Sequence, residues 1–194
     1  MASPASPSPA AAPDTPSDAE ADKARKALWA LVKDMRFGML THRHADGSLH
    51  SHPLTTQNRS LEDGCLYFFV SRATELGQRI EADGHVNVAY ADSHQDHYVS
   101  VTGQARINDD RLLRERLFNA LAKAWFPGGV DDPHLELVEV RILHAEYWCI
   151  TESKVTQLFK MATAAVSGQP PVIGEHREVP FPAPAPQRAD APVR

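Results

Sequence analysis

Four of the chain's ten histidines fall in two short strings, His42-Arg43-His44 and His50-Ser51-His52. Histidines two apart on a strand share one face, which is the geometry a borderline transition metal needs. Whether the two pairs converge depends on the turn between them. Asp46-Gly47 is a strong hairpin signal, and a two-residue turn there pairs Ala45 with Ser48, His44 with Leu49 and Arg43 with His50. In that register His42 and His44 face one side of the sheet while His50 and His52 face the other. A one-residue bulge would bring all four together. A histidine-based metal module is therefore the minor reading, and no residue is assigned as a metal ligand.

The other reactive types are less suggestive. Cys65 and Cys149 have no CxxC spacing and no adjacent basic residue, which reads as reduced, buried thiols rather than nucleophiles. Asp109-Asp110 and Asp131-Asp132 sit at a helix start and in a proline turn, where capping and turn formation explain them. No GxGxxG, P-loop or GxSxG string is present. The segment Val70-Ser71-Arg72-Ala73-Thr74-Glu75 is more informative. It leaves a buried strand and enters a helix, so hydroxyls, a guanidinium and free N–H groups converge as they would around a phosphate. A plain Thr74 N-cap beside a surface arginine is the competing reading.

Apolar spacing places the elements that carry these residues. Leu28, Leu31, Val32 and Met35 mark a helix over 23–36, with Gly38 as its stop. Strands follow at 37–44, 49–56, 65–71, 85–92 and 98–107, with a short helix at 74–82. A helix from Asp110 to Trp125 carries a stripe of Leu113, Leu117, Leu121 and Trp125. A long strand over 135–150 changes phase near Leu143. A last helix over 154–166 presents Val155, Leu158, Phe159, Ala162 and Val166. Strands joined mostly by short turns predict a mainly β fold with flanking helices (α+β), an antiparallel sheet closed into a barrel.

Composition bounds the rest. The chain has 194 residues, 42% apolar and 23% charged, with mean hydropathy -0.38, which is ordinary globular material. Of its 15 prolines, five lie in residues 4–16 and seven in 170–192. Residues 1–22 and 169–194 therefore read as disordered tails around a domain at 23–168. A net charge of -5 argues against nucleic acid as a partner. No secretory leader or membrane span is written, so the cytoplasm is the expected compartment.

Seven strings in order, LWALVKDMRFGMLTHRHADGSLHSHPLTTQN, LYFFVSR, HVNVAYAD, YVSVTGQA, AWFPGGVDDP, AEYW and ESKVTQLFKMA, resemble the bacterial general stress protein 26 group. That group belongs to the pyridoxamine 5'-phosphate oxidase-like, flavin-binding split barrels. The resemblance covers residues 28–168. It implies a six-stranded antiparallel split β-barrel that forms a homodimer and binds FMN, or FAD, at the subunit interface. Carried over by position, it implies that His52, Pro53, Leu54, Thr55 and Gln57 lie along the flavin ring, and that Phe69 and Val70 face its edge. Ser71, Arg72 and Thr74 fall at the phosphate turn, and Tyr98 and Trp148 reach the flavin. Trp125, Phe126, Tyr147 and Trp148 would supply aromatic surface from the other subunit.

Two departures bear on chemistry. Relatives often carry Arg-Pro-Met where this chain has His52-Pro53-Leu54, and the oxidases carry Ser-Arg-Lys where it has Thr74-Glu75-Leu76. The loss of those cations argues for weaker FMN binding and against pyridoxamine phosphate oxidation itself. The expected function is flavin binding in a general stress protein. Flavin-dependent redox activity and a non-catalytic role in ligand binding or stress sensing both stay open, and no catalytic residue is assigned.

Overall fold

A computed structural model describes residues 17–150, 152, 154–167, 170 and 174–181. The first helix, α1 (Asp18–Met35), begins five residues before the apolar stripe suggests. The Ser17 hydroxyl accepts the Glu20 N–H, and the Glu20 carboxylate accepts the Ser17 N–H, a reciprocal cap that satisfies otherwise orphaned donors. Leu28 and Val32 are its buried contacts with the sheet. The helix stops at Arg36, which adopts φ 56°, rather than at Gly38. Gly38 has a packing role: a Cβ there would lie 2.7 Å from Val88 Cγ1 and 2.8 Å from the Tyr90 ring.

Six strands follow the expected run: β1 (Phe37–Arg43), β2 (Leu49–Thr55), β3 (Cys65–Ser71), β4 (His85–Asp92), β5 (His97–Ile107) and β6 (Leu135–Cys149). They pair antiparallel in the order β2-β1-β4-β5-β6-β3. The two ends meet through one isolated bridge, Thr56 with Phe68. The sheet thus curls into a split barrel. Leu40, Leu66, Phe68, Val88, Val101 and Val140 fill its interior, as alternation along each strand requires. The phase change in β6 is a bulge: Thr102 pairs with His144 but Gly103 with Ile142, leaving Leu143 as the extra residue.

The expected C-terminal tail needs correction. Residues 175–179 form β7 (Glu175–Val179), which pairs with the second half of β6. Val179 is buried and Phe181 packs on the core, so part of this segment belongs to the domain. The expectations for residues 1–16 and 182–194 lie outside the described residues.

The helix expected from Asp110 to Trp125 is two helices, α3 (Arg111–Leu117) and α4 (Ala120–Trp125), preceded by the short α2 (Glu75–Ile80). Phe118 is extended, and the Asn119 side chain accepts the N–H groups of Leu121 and Ala122. An asparagine that caps a new helix ends the old one. Leu113 and Leu117 are buried while Leu121 and Trp125 are exposed, so the expected stripe is cut in half. Phe126 and Tyr147 are also buried, which removes both from the expected aromatic surface. In the last helix, α5 (Lys154–Ser167), the side chains of Val155, Phe159, Ala162 and Val166 lie outside the described residues.

Candidate functional site

The hairpin that carries the histidines does not use a two-residue turn. His44 accepts nothing from Leu49; instead its N–H donates to the Ser48 carbonyl at 2.8 Å, and Ala45, Asp46 and Gly47 form a three-residue loop. Gly47, at φ 87°, takes the left-handed position that such loops require. The register moves by one, so His42 pairs with His50 and Leu40 with His52. All four histidines now share the inward face. His42 is buried, its Nε2 3.1 Å from His52 Nε2. Burial pushes its pKa below the ordinary histidine value. His44 and His50 stack with ring centroids 4.4 Å apart.

Helix α2 brings Glu75 to this pair. Its carboxylate lies 2.9 Å from His44 Nε2 and 3.4 Å from His50 Nδ1. Sequence reading missed Glu75 because contact between a hairpin and a later helix is not written in local spacing.

The turn leading into α2 adopts the capped form. The Thr74 hydroxyl donates to the Ser71 carbonyl at 2.6 Å and accepts the Gly77 N–H, while the Ser71 hydroxyl accepts the Ala73 N–H. Arg72 uses Nε to pair with the buried Glu136 at 2.7 Å, yet its side chain is 66% exposed. The guanidinium therefore retains a solvent-facing side. A Cβ at Gly77 would meet the Ser71 carbonyl at 2.8 Å and Glu136 Oε2 at 3.2 Å, so strand, turn and helix pack closely here.

The remaining expected positions divide by sheet face. His52, Leu54 and Val70 turn inward; Pro53 is exposed and, with Thr55, lies on the outer face. Gln57 donates to the Thr55 carbonyl and accepts from Asn119. Phe69 points away from the barrel interior and meets Phe118 edge-on, with centroids 5.8 Å apart. Tyr98 and Trp148 are paired neighbours on the outer face. Following the registers, Thr55 pairs with Phe37, Ala91 with Tyr98 and Tyr98 with Trp148. The β1–β4 register, extended from Met39 and Ala89, sets Phe37 beside Ala91. These residues form one row across the outer face, about 14 Å from Thr55 to Tyr98 at ordinary strand spacing. Phe37, missed in the sequence, is 62% exposed, and His176 of β7 stacks on Trp148 at 4.9 Å.

Nucleophilic cysteine chemistry finds no support in this geometry. Burial and neighbouring carboxylates push the Cys65 thiol up to about 11, and burial also raises that of Cys149. A cavity of about 440 Å³ lies away from these residues, between α1 and the β2–β3 connection, lined in part by Arg25, Trp29, Asp63 and Phe181. It joins none of the expected site positions. Among the described residues no helix is long and apolar enough to cross a membrane.

An antiparallel barrel open between its end strands, with helices outside, defines the split-barrel class of folds. Residues 23–171 match the family model described as pyridoxamine 5'-phosphate oxidase like, and the chain belongs to that family. It is 27% identical over 163 residues to protein bli-3 of Neurospora crassa, covering 78% of this chain and 77% of that one. It is 29% identical over 120 residues to general stress protein 26 of Bacillus subtilis, covering 56% and 82%. The crystal structure of a general stress FMN/FAD binding protein from the phytopathogen Xanthomonas citri is similar with TM-score 0.60 and 29% identity. That likeness covers 69% of this chain and 92% of the other.

Proposed function

We propose that this chain is a flavin-binding general stress protein that takes FMN or FAD across the outer face of its barrel as a homodimer. The observation that carries the reading is the row Thr55, Phe37, Ala91, Tyr98 and Trp148, exposed aromatic surface in a fold shared with a protein described as FMN/FAD binding. Offset aromatic and small side chains suit the faces of a planar ring. Phe37 and Met39 are exposed apolar side chains on that same face, and a second subunit would remove them from water.

Flavin, when bound, supplies two-electron redox chemistry. The chain's own residues would hold and orient it. Arg72 offers the phosphate one cation, shared with Glu136, and the backbone of Phe69 and Val70 runs toward the same turn. His52 faces His42 rather than the outer surface, so the ring contact at that strand falls to Pro53, Thr55 and backbone.

Purified protein should show flavin absorption or take up FMN on titration. Arg72→Ala should lower FMN affinity about ten- to a hundredfold, the worth of one charged hydrogen bond, and leave riboflavin binding unchanged. Equal FMN affinity in both proteins removes the turn from the site, and no flavin binding at all overturns the reading. A solution mass near 21.4 kDa overturns the homodimer. Anaerobic titration with NADH then separates an oxidoreductase, whose flavin bleaches, from a binder.

A further inference from the structure

The hairpin cluster carries a second site, one that does not depend on flavin. His44 Nε2, His50 Nδ1 and a Glu75 carboxylate oxygen all lie within 4.8 Å of one another. Metal–nitrogen bonds of about 2.0–2.1 Å put tetrahedral ligand atoms about 3.3 Å apart, so a small inward movement completes the geometry.

The proton positions make the same point independently. Ser48 Oγ donates its single hydrogen to Asp46 Oδ1 at 2.6 Å. At 3.2 Å it can then only accept from His50 Nε2. A neutral His50 therefore turns the lone pair of Nδ1 toward Glu75 Oε2, 3.4 Å away. Two electron-rich atoms face each other, and positive charge between them relieves the repulsion. Glu75 Oε1 is buried and accepts no aligned hydrogen bond although His44 Nε2 is 2.9 Å from it. On the far side of the ring, His44 Nδ1 accepts the Asp46 N–H at 3.3 Å and lies 3.1 Å from Asp46 Oδ1, so it can exchange that donor for the carboxylate once it carries the proton. A metal at Nε2 selects the tautomer with Nδ1–H on the carboxylate. Both imidazoles are thus held at their outer nitrogens, by Asp46 and Ser48, with their inner nitrogens on one carboxylate. Metal-binding histidines are oriented in this way.

We propose that His44, His50 and Glu75 bind a divalent transition-metal ion of the zinc class, with Asp46 and Ser48 as positioning residues and the fourth position open to water or a ligand. Two imidazoles and one carboxylate select Zn²⁺ or Co²⁺ over Mg²⁺ or Ca²⁺. His42 and His52 meet through their Nε2 atoms and stand outside the ligand set.

The test uses the untagged full chain, stripped with a chelator and dialysed against Zn²⁺. It should retain one Zn²⁺ per chain against excess Mg²⁺. Glu75→Gln and His44→Ala should each weaken Zn²⁺ binding at least about tenfold, and Asp46→Asn, on an exposed loop, about tenfold through orientation alone. X-ray absorption of the Zn²⁺-loaded wild type, which needs no variant to fold, should report two imidazoles with oxygen donors. Zn²⁺ binding unchanged by Glu75→Gln and His44→Ala, an all-imidazole or all-oxygen shell, or no retained Zn²⁺ each overturns the assignment.

Discussion

On the β5–β6 wall, the buried Glu139 carboxylate receives three hydrogen bonds from the cross-strand Arg106 and a fourth from Asn108 at 2.6 Å, with the Cys65 thiol 3.7 Å away. On the β1–β2 hairpin, four histidines and Glu75 crowd one inward face with fewer hydrogen bonds than they can make. Both clusters bury charge or polarity, the first on the outer face of the sheet among Cys65, Tyr67 and α3, the second on the inward face. The first is saturated, and each partner lies on a strand or strand end that the sheet already fixes. The second is loosely satisfied and spans a hairpin loop and a separate helix. A saturated buried network stabilises a wall, whereas an under-satisfied one leaves buried polar atoms whose hydrogen-bonding capacity is unused.

The largest effect is expected on the saturated side. Arg106→Ala leaves Glu139, whose side chain is 5% exposed, with Asn108 as its main partner. Stranding a buried carboxylate costs up to 3–5 kcal/mol when both partners are buried. Arg106 itself is 62% exposed, and solvent screening lowers the figure to about 2–3 kcal/mol. Thermal unfolding should fall by about 5–10 °C. A loss under about 1 kcal/mol would erase the contrast, since the wall would then be no better satisfied than the hairpin.

The middle effect concerns the loop that places the histidines. Gly47→Ala puts a side chain at φ 87°, with open space around it, so the cost is backbone strain alone. About 1 kcal/mol is expected, read as a lower urea midpoint with unchanged slope. Gly47→Asn should cost less, because asparagine tolerates that region. Equal stability of Gly47→Ala and wild type would mean that the loop does not depend on its left-handed residue, and the register would need another cause.

That loop also marks the limit of what the sequence discloses. The strands at 65–71 and 85–92 are legible to the residue because apolar runs and alternation report burial directly. The antiparallel barrel follows from their short connections. Asp46-Gly47 announces a hairpin but does not count its loop, and one residue decides whether His50 and His52 face His42 or turn away. Strand β7 is hidden because four of its five residues, Glu175, His176, Arg177 and Glu178, are exposed and polar, and only Val179 reaches the core. Within the candidate site, Thr55, Tyr98 and Trp148 come from the family resemblance, and the strand registers set them on one outer-face row. Phe37, which joins them into a row, reads only as the start of a strand. Glu75 is unreadable as a partner of His44 because their contact exists only once α2 folds against the hairpin.

The smallest effect should come from the hairpin, and it separates the two clusters most directly. His42 is fully enclosed, beside Val86 across β4 and His50 across β2, and its one side-chain partner is the half-buried His52. Because burial holds its pKa below the ordinary value, the ring replaced at pH 8 is neutral. His42→Leu removes one neutral hydrogen bond, worth about 1 kcal/mol, and gains a comparable amount from apolar burial. His52, with access to solvent, finds water in place of its partner. The unfolding free energy at pH 8 should therefore change by less than about 0.5 kcal/mol in either direction. A loss of 2 kcal/mol or more, matching Arg106→Ala, would mean that the histidines form a structural network as tightly interlocked as the wall. A near-zero change alongside a large one at Arg106 would show that the His42–His52 pair contributes little to stability, in contrast to the Glu139 wall.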